Sequence, residues 1–301
     1  SGFFTGFTTT EGIYLNNEMI EEGDCTGPAS AEVLLKDPSV QFAVLECARG
    51  GILRAGLAFD QCDVAIVTNV AEDHIGLKDI NSVEEMAKVK AVVPESVKED
   101  GYAVLNADNE HTYNMKNDVN AKVALFSTNP ESERIARHCK AGGMAAILEN
   151  DGIVLIMGNE KILVERTENI PVTFGGKARF MIENVLAATL AAVASHIPVY
   201  TIAQGLRTFK PSSETTPGRL NMFDIKDFRF IVDYAHNHHG VVALGQFINQ
   251  LNAACKIGII SVAGDRIESE IVNVGRAAAQ IFDKIIVRID EDTRGRRIEA
   301  V

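Results

Sequence analysis

Short apolar runs alternate with helical patterns along the first half of the chain. Four runs are apolar on both strand faces, which is typical of strands buried in a parallel sheet. These runs occupy residues 42–45, 64–67, 102–105 and 122–126. Residues 29–35 and 82–97 carry apolar side chains at helical spacing, and Ser82 followed by Glu85 matches a capping box. The alternation predicts a doubly wound, mostly parallel α/β sheet.

The pattern changes after Met144. Two apolar runs, 145–148 and 153–157, flank an Asp-Gly turn at 150–152, and a third short run follows at 161–164. An Asp-Gly pair between apolar runs is a strong hairpin signal. We therefore predict a small antiparallel appendage to the parallel sheet.

The best domain boundary is a polar segment with two prolines, residues 209–218, which follows an alanine-rich helical pattern at 181–196. Beyond it, strand and helix patterns alternate again. The strands are predicted at 228–233, 257–262 and 284–287, and the helices at 240–251 and 270–282. We predict a central domain over residues 1–209 and a smaller, truncated Rossmann-like α/β domain over residues 210–301.

Composition narrows the class of protein without identifying it. The chain has 301 residues, and 29 basic against 41 acidic side chains give a net charge of −12. This balance argues against a nucleic-acid partner, which needs a basic surface. No apolar run approaches the roughly 20 residues that span a bilayer, and the first residues lack a signal-peptide pattern, so we expect no membrane partner. The five cysteines form no CxxC pair, which favours reduced thiols in a cytoplasmic protein.

Two of the predicted strands end in side chains that suit a divalent cation. Glu46 follows the run at 42–45, and His74 lies beyond the run at 64–67. Ligands of open α/β sheets bind at the carboxyl ends of the strands, and magnesium prefers carboxylate oxygens. If both strands belong to one sheet, both ends face the same crevice. The residues alone also allow an ion pair between Glu46 and Arg49 and a solvated His74.

Basic side chains offer candidate phosphate contacts. Lys88 and Lys90 are two residues apart on a predicted helix, so they point to different faces and at most one faces the crevice. Arg219 lies in the proposed domain boundary, and its planar fork suits a bidentate phosphate contact.

Two further stretches carry polar side chains at predicted strand or helix ends. Residues 233–240 include three histidines in four positions, but no second ligand cluster supports zinc. Gly264 allows a ligand to approach the backbone closely. Asn184 either reads the edge of a base or packs within its helix.

Taken in order, these motifs resemble the Mur ligase superfamily, which includes the peptidoglycan Mur ligases, folylpolyglutamate synthase and the Mur-like half of cyanophycin synthetase. The motifs are Leu45-Glu46, 69–74, Lys90-Ala91, 184–188, Gly218-Arg219, 233–237 and 264–266. Within the superfamily, the cyanophycin type is most similar. That likeness is carried by the stretches 8–14, 23–31, 45–54, 59–64 and 87–95.

The resemblance implies an ATP-dependent ligase that forms an amide through an acyl phosphate, with ATP and Mg²⁺ as cofactors. The cyanophycin type implies arginine as the amine, an aspartate-based polypeptide as the acceptor, and a homo-oligomer. A non-catalytic Mur-like binding or assembly fragment, or a ligase of the folylpolyglutamate synthase type, are the alternatives.

The resemblance also implies roles for single residues. Glu46, His74 and Lys90 would form the catalytic metal centre, with Lys90 carbamylated. The implied nucleotide contacts are Asn184 to adenine, Arg219 to the phosphates, and Asp233, His236 and Asn237 from the C-terminal domain. The expected substrate contacts are Thr9, Thr10, Glu11, Ser30, Asp265 and Arg266, and a turn at 290–297 could also reach the amine.

Two departures from the family pattern affect these expectations. The phosphate loop of the family, G-x-x-G-K-T/S, does not occur in these 301 residues. The family places that loop just before the strand that ends near Thr9, so we expect these residues to be a fragment with weak affinity for ATP. The residue after Asn237 is His238, where the family usually has proline.

Overall fold

The computed structural model describes residues 2–71, 80–262 and 266–288. His74, Asp265 and the turn at 290–297 therefore lie outside the described residues. The strands are β1 Thr5–Thr8, β2 Gly12–Leu15, β3 Glu18–Glu22, β4 Phe42–Leu45, β5 Cys62–Val67, β6 Val97–Asn106, β7 Lys122–Ser127, β8 Met144–Glu149, β9 Gly152–Met157, β10 Glu160–Arg166, β11 Asn221–Ile225, β12 Phe228–Val232, β13 Ile257–Ile260 and β14 Lys284–Val287. The helices are α1 Pro28–Lys36, α2 Arg49–Ala55, α3 Val83–Glu95, α4 Glu110–Asn114, α5 Glu133–Lys140, α6 Arg179–Ala194, α7 Val199–Thr208, α8 His238–Ile248 and α9 Glu268–Ile281.

A six-stranded sheet with the order β10-β9-β8-β7-β6-β5 forms the centre of the fold. Strands β5 to β8 are parallel, whereas β9 and β10 are antiparallel, which confirms the predicted appendage. The turn between β8 and β9 differs slightly from the prediction. Asn150 and Asp151 take the positive φ angles of 49° and 57°, and Gly152 is already the first residue of β9.

Successive residues of a strand point to opposite sides of the sheet, and here both sides carry apolar residues. Helices therefore cover both faces of this sheet. Val104 belongs to the core cluster that includes Leu186 of α6. Leu105, its neighbour on β6, belongs to the other cluster, with Met86 of α3 and Ile135 of α5. Both β6 residues are completely buried.

A second sheet has four strands in the order β3-β2-β1-β4, with β1 and β4 parallel and the other pairs antiparallel. Its β2–β3 hairpin was not predicted, and Asn16 and Asn17 form the turn with φ of 46° and 75°. Helix α1 packs Leu34 against Ile13 on one face. On the other face, Val44 remains 56% exposed.

The expectation that Glu46 and His74 follow strands of one sheet is wrong for the described residues. Strand β4 pairs with β1 and strand β5 pairs with β6, so each is an edge strand of its own sheet. The apolar runs identified the strands correctly, but they carry no information about which strand pairs with which.

The C-terminal part contains the antiparallel pair β11–β12 and the parallel pair β13–β14, with α8 packed on α9. Leu220 and Phe247 are buried there in a cluster with Ala178, which lies just before α6. The boundary near residues 209–218 stays a prediction. Within the part of the chain that the structure describes, no helix is both long and apolar enough to cross a bilayer.

Candidate functional site

Glu46 leaves the carboxyl end of β4 and is held by the loop after β1. Its backbone N–H donates to Thr8 Oγ1 at 3.2 Å. Thr10 donates to both carboxylate oxygens, from its backbone N–H at 3.2 Å and from its hydroxyl at 3.3 Å. Burial raises the pKa of Glu46, and the two bonds from Thr10 offset part of that rise. The result is a carboxylate in a fixed orientation on a residue that remains exposed.

The neighbouring loop residues divide into two groups. Thr9 Oγ1 accepts from the backbone N–H of Glu11 and of Gly12, at 3.1 and 3.3 Å, so its hydroxyl closes the turn. Glu11 lies close enough for its charge to contribute to the raised pKa of Glu46, after burial. Thr10 and Glu11 are thus the predicted substrate residues that the structure brings to Glu46.

A cavity of about 10 Å³, room for roughly one water molecule, lies beside Glu46. Thr26 and Gly27, at the start of α1, and Cys47 form part of its wall. Burial raises the pKa of the Cys47 thiol to about 11, so this thiol is protonated at neutral pH. Ser30 lies in the first turn of α1, at the same end of the helix.

Asp233 follows β12 and fixes the backbone of the Arg219 loop. One carboxylate oxygen accepts from Leu220 N–H and the other from Ala235 N–H, both at 2.9 Å. Leu220 is fully buried and has a φ of 50°, a conformation that costs a non-glycine residue on the order of 1 kcal/mol. Burial raises the pKa of Asp233, and its bonds to the backbone offset part of that rise.

Arg219 links the two halves of the site. Its guanidinium carbon lies 4.7 Å from the centre of the Tyr234 ring. Burial raises the pKa of both Glu46 and Asp233, and the positive charge of Arg219 lowers each of them in part. The charge of Arg219 therefore acts on two predicted carboxylates from distant parts of the sequence, although neither lies at ion-pair distance from it.

Asn237 and His236 occupy structural positions at the start of α8. Asn237 Oδ1 accepts from Gly240 N–H at 2.7 Å and caps the helix. His236 Nδ1 bonds to Tyr234 O at 2.9 Å. His238 is the first residue of the helix, a position that also suits proline, so the departure from the family pattern leaves this turn intact.

Lys90 lies in a different cluster, at the carboxyl end of β5. Its Nζ donates to Asn69 O at 3.0 Å, whereas Lys88 is exposed, as the spacing on the helix predicted. Two residues that sequence reasoning missed secure the same loop. Asn106 donates to Thr68 O at 2.8 Å, and Asn109 bonds to both the N–H and the O of Val70.

The structure does not join these two clusters by a direct bond. Within the described residues, no hydrogen bond or ion pair connects Glu46 to Lys90. His74, which follows the Lys90 cluster in sequence, lies outside the described residues.

Two other predicted residues, Asn184 and Arg266, make their contacts with residues other than Glu46. Asn184 is exposed on α6, and its amide lies 3.9 Å from Met181 Sδ, so it remains available to a ligand. Arg266 is only 2% exposed and lies 3.7 Å from the Glu270 carboxylate, one helical turn later. The substrate role of Arg266 stays a prediction, and in this conformation its side chain is buried just before α9.

Glu46 fits a magnesium ligand by its chemistry. Burial makes its charged form unfavourable, and a bound cation would relieve that cost. An unmodified Lys90 does not fit, because its Nζ is a donor. Among the residues that the structure describes, no group of three or more His, Cys, Asp or Glu side chains is placed to bind a metal.

Sequence comparison matches residues 2–192 to the Mur ligase middle domain. The chain is 50% identical to a cyanophycin synthetase of Geminocystis herdmanii and 49% identical to one of Crocosphaera subtropica, in each case over 98% of this chain and 34% of the relative. It thus spans about a third of the length of these curated relatives. A UDP-N-acetylmuramoyl-L-alanyl-D-glutamate–2,6-diaminopimelate ligase of Caldanaerobacter subterraneus is 24% identical over 85% of this chain and 49% of the relative.

Solved structures share the fold. Escherichia coli FolC, in complex with ADP and without folate substrate, superposes with a TM-score of 0.68 at 17% identity, over 99% of this chain and 71% of that chain. A UDP-N-acetylmuramoyl-L-alanyl-D-glutamate–2,6-diaminopimelate ligase superposes with a TM-score of 0.60 at 18% identity, over 99% and 58% of the two chains. The Mur ligase-like α/β architecture is therefore confirmed.

Proposed function

Because the chain belongs to the Mur ligase family, we propose that it forms part of an ATP-dependent ligase that joins an amine to a carboxylate. The γ-phosphoryl group of ATP moves to the carboxylate, which gives an acyl phosphate and ADP. The amine then attacks the acyl carbon, loses a proton as the amide bond forms, and inorganic phosphate leaves. Such a site must hold negative phosphate charge and an amine in one cleft.

The effect of the Arg219 charge on the pKa of Glu46 carries this proposal. Glu46 belongs to the four-stranded sheet and Arg219 to the segment before β11, yet the charge of one changes the pKa of the other. A cation whose charge acts on a carboxylate suits a reaction in which phosphate oxygens and a metal ion lie side by side. Asp233 supports Arg219 through the backbone of Leu220.

We propose the remaining roles from the membership of the chain in the Mur ligase family. Arg219 contacts the phosphates, Asp233 and His236 contact the nucleotide, and Asn184 contacts the base. Glu46 holds magnesium, together with His74 and with Lys90 in its carbamylated form. Magnesium bound there would neutralise charge on the phosphate oxygens.

Arginine is the proposed amine, and side-chain carboxylates of an aspartate-based polypeptide are the proposed acceptors. The support is the 50% identity to a cyanophycin synthetase over 98% of this chain. Thr10 and Glu11, which lie at Glu46, and Ser30 are the substrate contacts that we propose from the described residues. A homo-oligomer is part of the same proposal.

A phosphate loop from outside these 301 residues is also part of the proposal. Parallel strands are normally covered by helices on both faces. Among the described residues, α1 packs on one face of the β1–β4 pair, whereas Val44 on the other face is 56% exposed. Phe7, Phe42 and Val44 line an open cavity of about 390 Å³ on the other face. A strand and helix that carry the loop would fit beside this apolar surface.

Phosphate release by the full-length natural protein tests the function. With Mg-ATP and an aspartate polypeptide primer, we expect release that depends on arginine. Glu46→Gln should reduce the rate at least 100-fold, the usual scale for loss of a charge-stabilising group. Asp63→Asn, which removes an exposed carboxylate paired with Lys98, is the matched control and should stay within twofold.

The alternatives give different outcomes. Phosphate release that depends on glutamate instead of arginine would favour a ligase of the folylpolyglutamate synthase type. Absence of phosphate release with either amine would favour a binding or assembly role. Calorimetry of the 301-residue chain with Mg-ATP tests the external phosphate loop, because tight binding by this chain alone would contradict it.

A further inference from the structure

The guanidinium of Arg219 rests on an aromatic ring rather than on a carboxylate. The distance from its central carbon to the Tyr234 ring centre is 4.7 Å. That ring in turn makes an edge-to-face contact with the His236 ring, with ring centres 5.0 Å apart at an angle of 63°. Tyr234 is 57% exposed, so little of its surface contributes to a hydrophobic core.

The backbone that carries Arg219 is fixed on both sides. Asn221 Oδ1 accepts from Gly218 N–H at 2.8 Å, and Asn221 Nδ2 donates to Thr216 O at 3.0 Å. On the other side, Asp233 accepts from Leu220 N–H. The main chain is therefore held in place, and the freedom that remains to Arg219 is in its side chain.

An arginine side chain has several rotatable bonds, and an aromatic face restricts the plane of its guanidinium. Stacking occupies the flat face of the guanidinium and leaves the N–H groups at its edge to bind an anion. Within the described residues, no carboxylate lies at ion-pair distance from Arg219. Its donors therefore remain available for phosphate oxygens.

We propose that Tyr234 is a positioning residue for Arg219, and that its ring holds the guanidinium fork toward the polyphosphate of the nucleotide. The inference rests on the proposed function, because it assumes that the anion is a polyphosphate. It assigns to the exposed Tyr234 ring a role that neither its burial nor its hydrogen bonds explain. The hydroxyl of Tyr234 is not required for this role, whereas the aromatic face is.

Two substitutions in the full-length natural protein separate the ring from the hydroxyl. Tyr234→Leu removes the aromatic face and should raise the KM for ATP and the Kd for Mg-ATP about threefold to tenfold, with kcat within twofold. Tyr234→Phe keeps the ring and should remain within twofold of the wild type. The matched control is Tyr113→Leu, because Tyr113 also stacks on an arginine, Arg134 at 4.3 Å, away from the site.

A double-mutant cycle then tests the pairing. In an Arg219→Lys background, the planar partner is gone, and Tyr234→Leu should have an effect of less than twofold. An unchanged effect in that background would overturn the proposal, and so would a loss in Tyr234→Phe as large as in Tyr234→Leu. Equal thermal unfolding midpoints of the variants exclude a simple loss of folding.

Binding of inorganic tripolyphosphate, measured by calorimetry, separates this inference from the proposed function. If the wild type releases no phosphate from ATP, the proposed ligase function is wrong. The role of Tyr234 still predicts that Tyr234→Leu binds tripolyphosphate more weakly than the wild type and Tyr234→Phe do. Failure of the wild type to bind this anion would overturn the role of Tyr234. The same affinity in the wild type and in Tyr234→Leu would do so as well.

Discussion

The two sheets of the molecule place polar side chains at strand ends in the same way, but they differ in how they are packed. Strand β6 ends in Asn106 and has helices on both faces, so Val104 is completely buried. Strand β4 leads into Glu46, and among the described residues α1 packs on one of its faces, whereas Val44 on the other face is 56% exposed. Each valine lies two residues before the strand-end side chain.

This difference indicates that one sheet contributes mainly to stability and that the other carries the candidate site. Burial of apolar area is the main favourable term in folding, so the six-stranded sheet should contribute most of the stability of these 301 residues. The four-stranded sheet leads into Glu46, the carboxylate whose pKa is raised, and such perturbed groups are typical of functional sites. The site thus stands on the less completely packed of the two sheets.

The largest expected effect compares the two valines directly. Val104→Ala should lower the free energy of unfolding by about 2–3 kcal/mol, because it removes two methyl groups from a closed core. Val44→Ala should lower it by less than about 1 kcal/mol, mostly through reduced strand propensity. Urea unfolding of the 301-residue chain, followed by circular dichroism, measures both. Equal losses would mean that the exposed face of the four-stranded sheet is covered in solution.

A smaller effect is expected from the loop after β5. Asn109 binds both backbone groups of Val70 and also accepts from Thr112 N–H at the start of α4. Asn109→Ala should cost about 1–2 kcal/mol and increase amide exchange at residues 68–71. Asn114→Ala is the matched control, since the Asn114 side chain donates to the Glu110 side chain and, among the described residues, not to the loop after β5. Unchanged exchange at residues 68–71 in Asn109→Ala would show that other contacts hold the loop.

The strands of the six-stranded sheet were predicted well from the sequence for a physical reason. Parallel strands buried on both faces need continuous apolar runs, and the runs at 102–105 and 122–126 lie within β6 and β7. Strand β3 has the sequence EMIEE and is exposed throughout, so no apolar period marks it. Its Asn16-Asn17 turn was the available signal, because asparagine tolerates a positive φ.

The site residues were predictable where their position in the fold decides their role. Glu46 follows a buried strand directly, and that position is visible in the sequence. Asn109 was missed because its partner, Val70, is 39 residues away. The burial of Arg266 also escaped prediction, although Glu270 four residues later was a usable signal for a helical ion pair.

The smallest expected effect in the comparison of the two sheets is on the pH dependence of stability. Burial raises the pKa of Glu46, so the folded chain holds this proton more tightly than the unfolded chain does. The stability linked to Glu46 is therefore present below the unfolded pKa and is lost as pH rises through the folded pKa. Glu46→Gln removes this titration, so raising the pH from 4.5 to 7.5 should shift the stability difference in favour of the variant. Because the carboxylate is partly solvated, we expect a shift below about 1 kcal/mol.

Urea unfolding at several pH values, with a chelator present, measures that shift. Glu165→Gln is the matched control in the six-stranded sheet. Although Glu165 is largely buried, its bonds to Asn169, Arg166 and Arg207 outweigh burial and lower its pKa. Its substitution should shift the difference in the opposite direction, since the charged form of Glu165 stabilises the fold above its unfolded pKa. Shifts of the same sign in both variants would contradict the contrast between Glu46, whose pKa is raised by burial, and Glu165, whose pKa is lowered by its bonds.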